Sequence, residues 1–440
     1  MQLIKSDKNN YITGNPQMTF FKSVYKKHTN FAMEELEINF NSDLTTNECV
    51  VTAIIPKSGG DLLEKMYLDV LLTGNGDNFG TTSSDPSKFM RWTNTTGYAY
   101  IKKCRFIIDS QEIDNHTSEW FEIWNELTDI ENKESILINK HTNTNDYYNN
   151  GDFSGTGVTK LRMLIPLQFY FCRSPGLSLP LIALQYSDIK IEFTFRKLDY
   201  LINCTNYSTA SQTTIPTVKL FGNFIYLDSD ERSLYAKKSH EYLIEQVQQI
   251  PSTLETTNKL NFNHMVKELI WICKNRNTGE LDTTDSGNDT KTDITNSINT
   301  ITSVTGNVDS TFKNNDYFNF LPNNNTYKEY TLNTEGCEHF DKGTIVLDGN
   351  EMFNKKDAIY FRLLQPHYYH LKNVNNFIYM YSFALFPEKH QPSGFCDFSK
   401  FKSITLKFDN VLPNEDLIVF AINYNILRIS NGMGGLAHVS

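Results

Sequence analysis

Much of what would announce a familiar chemistry is missing from this 440-residue chain. Cysteine is sparse. The seven residues (49, 104, 172, 204, 273, 337 and 396) are odd in number, widely scattered and form no C-x-x-C pair. That pattern argues against a disulfide framework or a zinc ribbon and fits a reducing compartment. The start, MQLIKSDKNN, lacks the apolar core of a signal peptide, and no run reaches the ~18 apolar residues of a spanning helix. Excess positive charge is absent too. The net charge of -10 excludes a broad nucleic-acid-binding face, which needs a basic stripe to neutralise phosphates. A soluble intracellular protein is expected.

Catalytic signatures are equally scarce. No Gly-Lys-Ser/Thr exists, and Gly74-Asn75-Gly76-Asp77-Asn78-Phe79-Gly80 has the wrong spacing for a dinucleotide loop. Gly176-Leu177-Ser178-Leu179-Pro180 begins like a nucleophile elbow but ends in proline, whose fixed φ and missing N–H do not suit that turn. Cys396 lies near His390 in sequence, yet a small buried hydrophobe is the better reading. His367 and His370 have helical metal spacing, but Pro366-His367-Tyr368-Tyr369-His370 reads as extended, which would point the rings to opposite faces. Glu112, Asp114, Glu119, Glu122 and Glu126 cluster around Trp120 and Trp124, the one place where a glycosidase pair could be imagined. Ordinary charged surface around buried tryptophans explains them as well. No cofactor or metal is implied.

Aromatic residues are what the chain has in quantity, 30 Phe and 23 Tyr, together with many Asn and Thr. Flat and β-branched side chains favour strands, and Asn and Thr favour turns. Strand-like runs recur at Met33–Phe40, Lys65–Thr73, Tyr98–Asp109, Leu161–Cys172, Asp188–Leu198 and Val218–Leu227. They continue at Val266–Lys274, Thr344–Leu347, Ile359–Leu364, Phe377–Phe386, Ile404–Phe408 and Leu417–Ile429. Helical pattern is confined to Asp230–Lys238 and Ser118–Leu127. An all-β sandwich architecture follows.

The pattern also repeats. Ile107-Ile108-Asp109-Ser110-Gln111-Glu112, with Asn115 beyond, is echoed by Val346-Leu347-Asp348-Gly349-Asn350-Glu351 and Asn354. Pro166–Gly176 has a loose counterpart in Tyr379–Gly394, and each half closes with two strands. Three echoes in one order suggest a duplicated β-domain joined near Asp230–Lys238. The halves differ in their insertions, chiefly the Thr/Asn/Asp-rich 277–335, which cannot bury a core of its own. Sequons occur at Asn94, Asn115, Asn203, Asn206, Asn288 and Asn324; Asn288 and Asn324, in the insertion, are the weak candidates for glycosylation.

One segment near the start stands apart: GNPQMTFFKSVYKKHTNF, Gly14–Phe31. It resembles the N-terminal signature of the double jelly-roll major capsid proteins of nucleocytoplasmic large DNA viruses. The likeness continues through Ile113-Asp114 and WFEIWNEL (Trp120–Leu127), IPLQFYFCRSPGLSLPLIALQYSDIKI (Ile165–Ile191), YLDSDER (Tyr226–Arg232) and HEYLIEQ (His240–Gln246). It extends through FNHMVKELIW (Phe262–Trp271), QPSGFCDFS (Gln391–Ser399), NYNILRI (Asn423–Ile429) and NGMGGL (Asn431–Leu436). Departures are small: Lys26-Lys27 where Arg is common, Phe395 where Thr is usual, and the long insertion.

The resemblance implies two consecutive eight-stranded antiparallel jelly rolls and a structural, non-enzymatic role. The expected layout is an N-terminal arm (1–30), a first jelly roll (31–230), a connector (231–238) and a second jelly roll (239–440). It further implies a homotrimer forming a pseudo-hexagonal capsomer, neighbouring capsomers, minor capsid proteins, and an inner membrane met only indirectly. The virion would be assembled in the host cytoplasm. The arm residues expected to act in assembly are Asn15, Pro16, Phe20, Phe21, Lys22, Tyr25, Lys26 and Lys27. A helix over Thr19–His28 would place Phe20, Phe21 and Val24 on one face, to be buried against the chain's own base or a neighbouring protein. A carbohydrate-binding or glycan-cleaving jelly roll is the alternative.

Overall fold

A computed structural model describes residues 14–74, 90–129, 131, 133–140, 160–204, 213–275, 317–318, 320, 322, 338–372 and 376–438. Antiparallel strands dominate. In the first half, one sheet has the order Phe31–Ile38, Thr217–Leu227, Leu62–Thr73, Lys160–Pro166. The facing sheet runs Cys49–Ile54, Ile189–Phe195, Ile101–Ile108, Gln111–Thr117. In the second half, the corresponding sheets run His240–Thr253, Glu415–Ser430, Met265–Asn275, Ile378–Ser382, and Thr257–Lys259, Ile404–Asp409, Lys342–Leu347, Asn350–Glu351. The two orders correspond strand by strand, so the duplication is a property of the topology. In Ile189–Phe195 every odd residue is buried and every even one half-exposed, which is period-two patterning at work.

The sequence echo has a structural reason. Asp109 and Asp348 both sit at positive φ (55° and 49°), a conformation that Asp tolerates better than most residues. Each follows a strand and turns it into a hairpin; Asp348-Gly349, both at positive φ, make a two-residue turn of the kind that matches strand twist. Each carboxylate also accepts from the chain entering the neighbouring strand: Asp109 from the Asp188 N–H at 2.8 Å, Asp348 from the Lys402 and Ser403 N–H groups at 2.8 and 2.9 Å. The Asp therefore ties a hairpin to the strand beside it in both halves.

Several boundaries differ from the sequence expectation. Tyr98–Asp109 starts as a helical turn, Thr96–Tyr100, and Leu161–Cys172 ends in one, Tyr170–Arg173. Ile359–Leu364 is no strand but a π-type turn, Tyr360–Leu364, continuing into the helix Gln365–Tyr369. Short apolar runs do not reveal their period, and Pro366 in the first turn favours a helix start. His367 is therefore helical, while His370 ends that helix in an extended conformation (φ -114°, ψ 158°); the two part company, His367 exposed and His370 buried. Strands Cys49–Ile54, Gln111–Thr117 and His240–Thr253 lack a clean alternation and escaped the sequence reading.

Candidate assembly surfaces and the seam between the halves

The helix Ser118–Thr128 joins the two sandwiches. Trp120, Ile123, Trp124 and Leu127 recur at helical spacing and pack into the second core, while Phe121 points back into the first. In exchange, Ile244, Leu427 and Ile429 of the second half pack into the first core. Trp120 lies with its ring 5.6 Å from Phe420, and Arg173 sits 4.3 Å over Trp124.

Ion pairs line this seam, and they account for the carboxylates that the sequence grouped together. Glu119 meets Lys274 at 3.2 Å, Glu122 meets Lys140 at 2.8 Å, and Glu126 pairs with Lys140 and Lys372. Asp114 lies 2.9 Å from the His116 ring and accepts the Val247 N–H at 3.0 Å, across the seam. Glu112 pairs with Arg105 at 3.2 Å. Burial alone would raise the Glu119 carboxyl, but Lys274 and Arg196 overcome it and bring it down to about 2. Each carboxylate meets a cation or a donor, Glu122 and Glu126 sharing Lys140. Trp120 is fully buried; Trp124 edges a cavity of about 440 Å³ with Arg173 and Gln168, and Glu134 is the only carboxylate lining it. Among the described residues, the grouped carboxylates are ion-pair and hydrogen-bond partners of the seam.

Further along the seam, Glu245 takes Arg173 at 2.5 Å and Lys267 at 2.7 Å, and Glu268 takes His370 at 2.9 Å. Glu388 holds the other His370 nitrogen at 2.9 Å. Burial works against the His370 charge, but the two carboxylates outweigh it and raise the imidazole to about 9. His370 is a buried cation in an ion-pair chain.

The arm behaves differently. Residues 14–30 are exposed throughout and carry no helix, which corrects the helical reading of Thr19–His28. They form a bend at Asn15 (φ 48°), a turn at Phe20-Phe21 and then extended chain. A segment this short, with Thr19, Val24 and Thr29 interrupting it, does not hold a helix without a packing surface. Phe20 and Phe21 are 90% and 99% exposed, so the chain's own base does not bury them. Asn15, Pro16, Lys22, Tyr25, Lys26 and Lys27 share that exposure. Cys396 is half-buried and its thiol is raised, chiefly by burial; His390 is lowered by the same cause, and no contact joins them. Asn288 and Asn324 lie outside the described residues.

With this geometry in view, comparison with known proteins is decisive. One family model, described as the major capsid protein N-terminus, matches residues 19–228. A second, described as the large eukaryotic DNA virus major capsid protein, matches residues 231–435. The chain belongs to the major capsid proteins of large eukaryotic DNA viruses. Among its relatives, the major capsid protein of Pyramimonas orientalis virus is 34% identical, covering 97% of this chain and 96% of that protein. That of Paramecium bursaria Chlorella virus 1 is 32% identical over 98% and 96%. The quasi-atomic model of the PBCV-1 virus capsid superposes with a TM-score of 0.73 at 28% identity, covering 96% of this chain and all of that one. The Faustovirus major capsid protein, at 14% identity and a TM-score of 0.67 over 94% and 93%, speaks for the fold alone.

This capsid protein is thus a double jelly roll with a structural role in the virion shell, where it meets neighbouring capsomers, and it is not an enzyme. The residues that sequence reading missed are the seam cations Lys140, Arg173 and Lys267, and it weighed His370 only as a metal ligand. Nothing local marks Arg173 or His370 as seam cations, because their partners Glu245 and Glu268 lie 72 and 102 residues away.

Proposed function

We propose that three copies of this chain close into a homotrimer, and that these trimers are the pseudo-hexagonal tiles of an icosahedral shell. One observation carries the proposal. The second-half strand Met265–Asn275 has eight consecutive fully buried residues, Val266 to Cys273, because its sheet is covered on both faces, on one of them by the helix Ser118–Thr128. Its first-half counterpart, Leu62–Thr73, alternates from Met66 to Thr73 between buried and half-exposed, because the outer face of its sheet is bare. The second half has a counterpart of the covering helix in Tyr360–Tyr369, which also follows a hairpin; there Leu364 and Tyr368 are 37% and 64% exposed, and Leu371 just beyond its end is 69% exposed. A bare sheet and an unused helix in one chain are complementary halves of a head-to-tail contact. A head-to-tail contact gives a ring when its rotation closes, and the proposed trimer is such a ring.

In this arrangement the arm (1–30), first roll (31–230), connector (231–238) and second roll (239–440) are the working units. The arm lies under the first roll and seats Phe20 and Phe21 on a neighbouring or minor capsid protein, keeping the inner membrane an indirect contact. Assembly takes place in the host cytoplasm, without nucleic acid.

Light scattering should find a particle of about 150 kDa, three times the 50.8 kDa chain. The double variant Tyr368→Glu/Leu371→Asp should yield a folded monomer. A wild-type chain that is monomeric at micromolar concentration ends the proposal. Removal of residues 1–28 should leave folded trimers that no longer assemble into shells, and normal particles from the truncated chain would remove the arm from the scheme.

A further inference from the structure

The second sandwich contains a cluster that neither the seam nor the assembly surfaces use. Cys273 Sγ, His339 Nδ1 and a Glu415 carboxylate oxygen lie within 4.8 Å of one another. All three side chains are completely buried. Cys273 lies near the end of the strand Met265–Asn275, and Glu415 opens the strand beside it, opposite Asn275. His339 stands just ahead of Lys342–Leu347, on the facing sheet. The cluster therefore spans both sheets where the 277–335 insertion leaves and returns.

Hydrogen bonding fixes the roles of the imidazole nitrogens. Nε2 lies 2.9 Å from the Phe320 carbonyl oxygen, which can only accept, so Nε2 carries a proton. That leaves Nδ1 facing the Glu415 carboxylate at 2.5 Å and the Cys273 sulfur nearby. At that distance a proton lies between the two lone pairs, in the place that a metal ion would take once the contact opened. The backbone carbonyl on the far nitrogen is the kind of support that orients ligating histidines.

We infer that Cys273, His339 and Glu415 form a buried structural site for a divalent cation of zinc type. Thiolate, imidazole and carboxylate are all zinc donors, and a fourth position is completed by a second carboxylate oxygen or a water. With the thiol deprotonated, two negative charges meet one dication, and the buried unit is neutral. Binding opens the Nδ1–Oε2 contact to roughly 3.3 Å, the separation of two ligands about 2.0–2.1 Å from a tetrahedral ion. Binding releases two protons to solvent, the thiol's and the one shared by Nδ1 and the Glu415 carboxylate, so occupancy falls in acid. The ion would cross-link the two sheets and, through Phe320, hold the returning end of the insertion.

The test uses the full chain stripped of metal and titrated with Co²⁺ and with Zn²⁺. The expected result is one Co²⁺ per chain with a thiolate-to-cobalt charge-transfer band. Cys273→Ser and Cys273→Ala should lose that band, and Cys396→Ser should keep it. Zinc should raise the wild-type melting temperature by about 5 °C or more, and EDTA should reverse the gain. A wild-type chain with no thiolate band and no zinc-dependent melting shift contains only a proton-shared His339–Glu415 pair, and overturns the site. A band that survives both Cys273 variants places the metal elsewhere and overturns it equally. Should both variants fail to fold, the wild-type spectrum and melting shift decide by themselves.

Discussion

The two sandwiches share a strand order and differ in what surrounds them. Both carry a β-bulge on the strand next to the long central one, at Glu64-Lys65 in the first half and at Lys267 in the second. In the first, Lys65 stays in water with its side chain 65% exposed, and Glu64 is bonded by Asn223. In the second, Lys267 and Glu268 are both at 0% exposure, enclosed by Glu245, Arg173 and His370. One backbone irregularity is a surface feature in one copy and the centre of a buried charge chain in the other. Duplicated topology thus leaves the environment of each position undetermined. The helix laid across the second sheet decides it.

The largest expected effect contrasts those two lysines. Lys267→Ala strands Glu245 without one of its buried partners and should cost about 3–5 kcal/mol, whereas Lys65→Ala should stay within about 0.5 kcal/mol. Urea unfolding of the two variants measures the difference, and equal losses would mean that the seam charges do not sense their burial.

His370 gives the next effect, confined to the second half. Its imidazole is raised from 6.5 to about 9, so its contribution is complete below pH 6.5 and disappears as pH climbs through 9. Denaturant midpoints should therefore fall by the equivalent of about 3 kcal/mol between pH 6 and pH 10. The double variant Glu268→Gln/His370→Gln should flatten that profile. Glu119, lowered to about 2, acts in the opposite direction: its contribution is present above 4.5 and is lost only as pH falls toward 2.

The smallest effect tests the likeness of the halves instead of their difference. Asp109→Ala and Asp348→Ala each remove a carboxylate that holds the chain entering the next strand, from a backbone that disfavours Ala. Each should cost about 1–2 kcal/mol. Similar values in thermal melts would mark the two turns as one device used twice; a large value at one site only would make the echo incidental.

Much of this was readable from the chain in advance. Aromatic content and period-two runs such as Ile189–Phe195 specify a strand wherever it lies, since alternation is local. The Asp109/Asp348 echo exposed the duplication because a positive-φ turn accepts few residues. The helix Ser118–Thr128 was visible for the same reason, with Trp120, Ile123, Trp124 and Leu127 at helical spacing.

Only the tertiary structure decided the rest. That Trp120 serves the second core, that Glu268 meets His370, and that Phe20 and Phe21 find no cover in their own chain depend on contacts between distant residues. Cys273, His339 and Glu415 are the extreme case. They are 66 and 76 residues apart in turn, so their spacing carries no ligand signal, and the closing of one sheet on the other brings them together. Local backbone preference acts over a few residues and is printed in the sequence; burial and pairing depend on which surfaces the finished fold presses together.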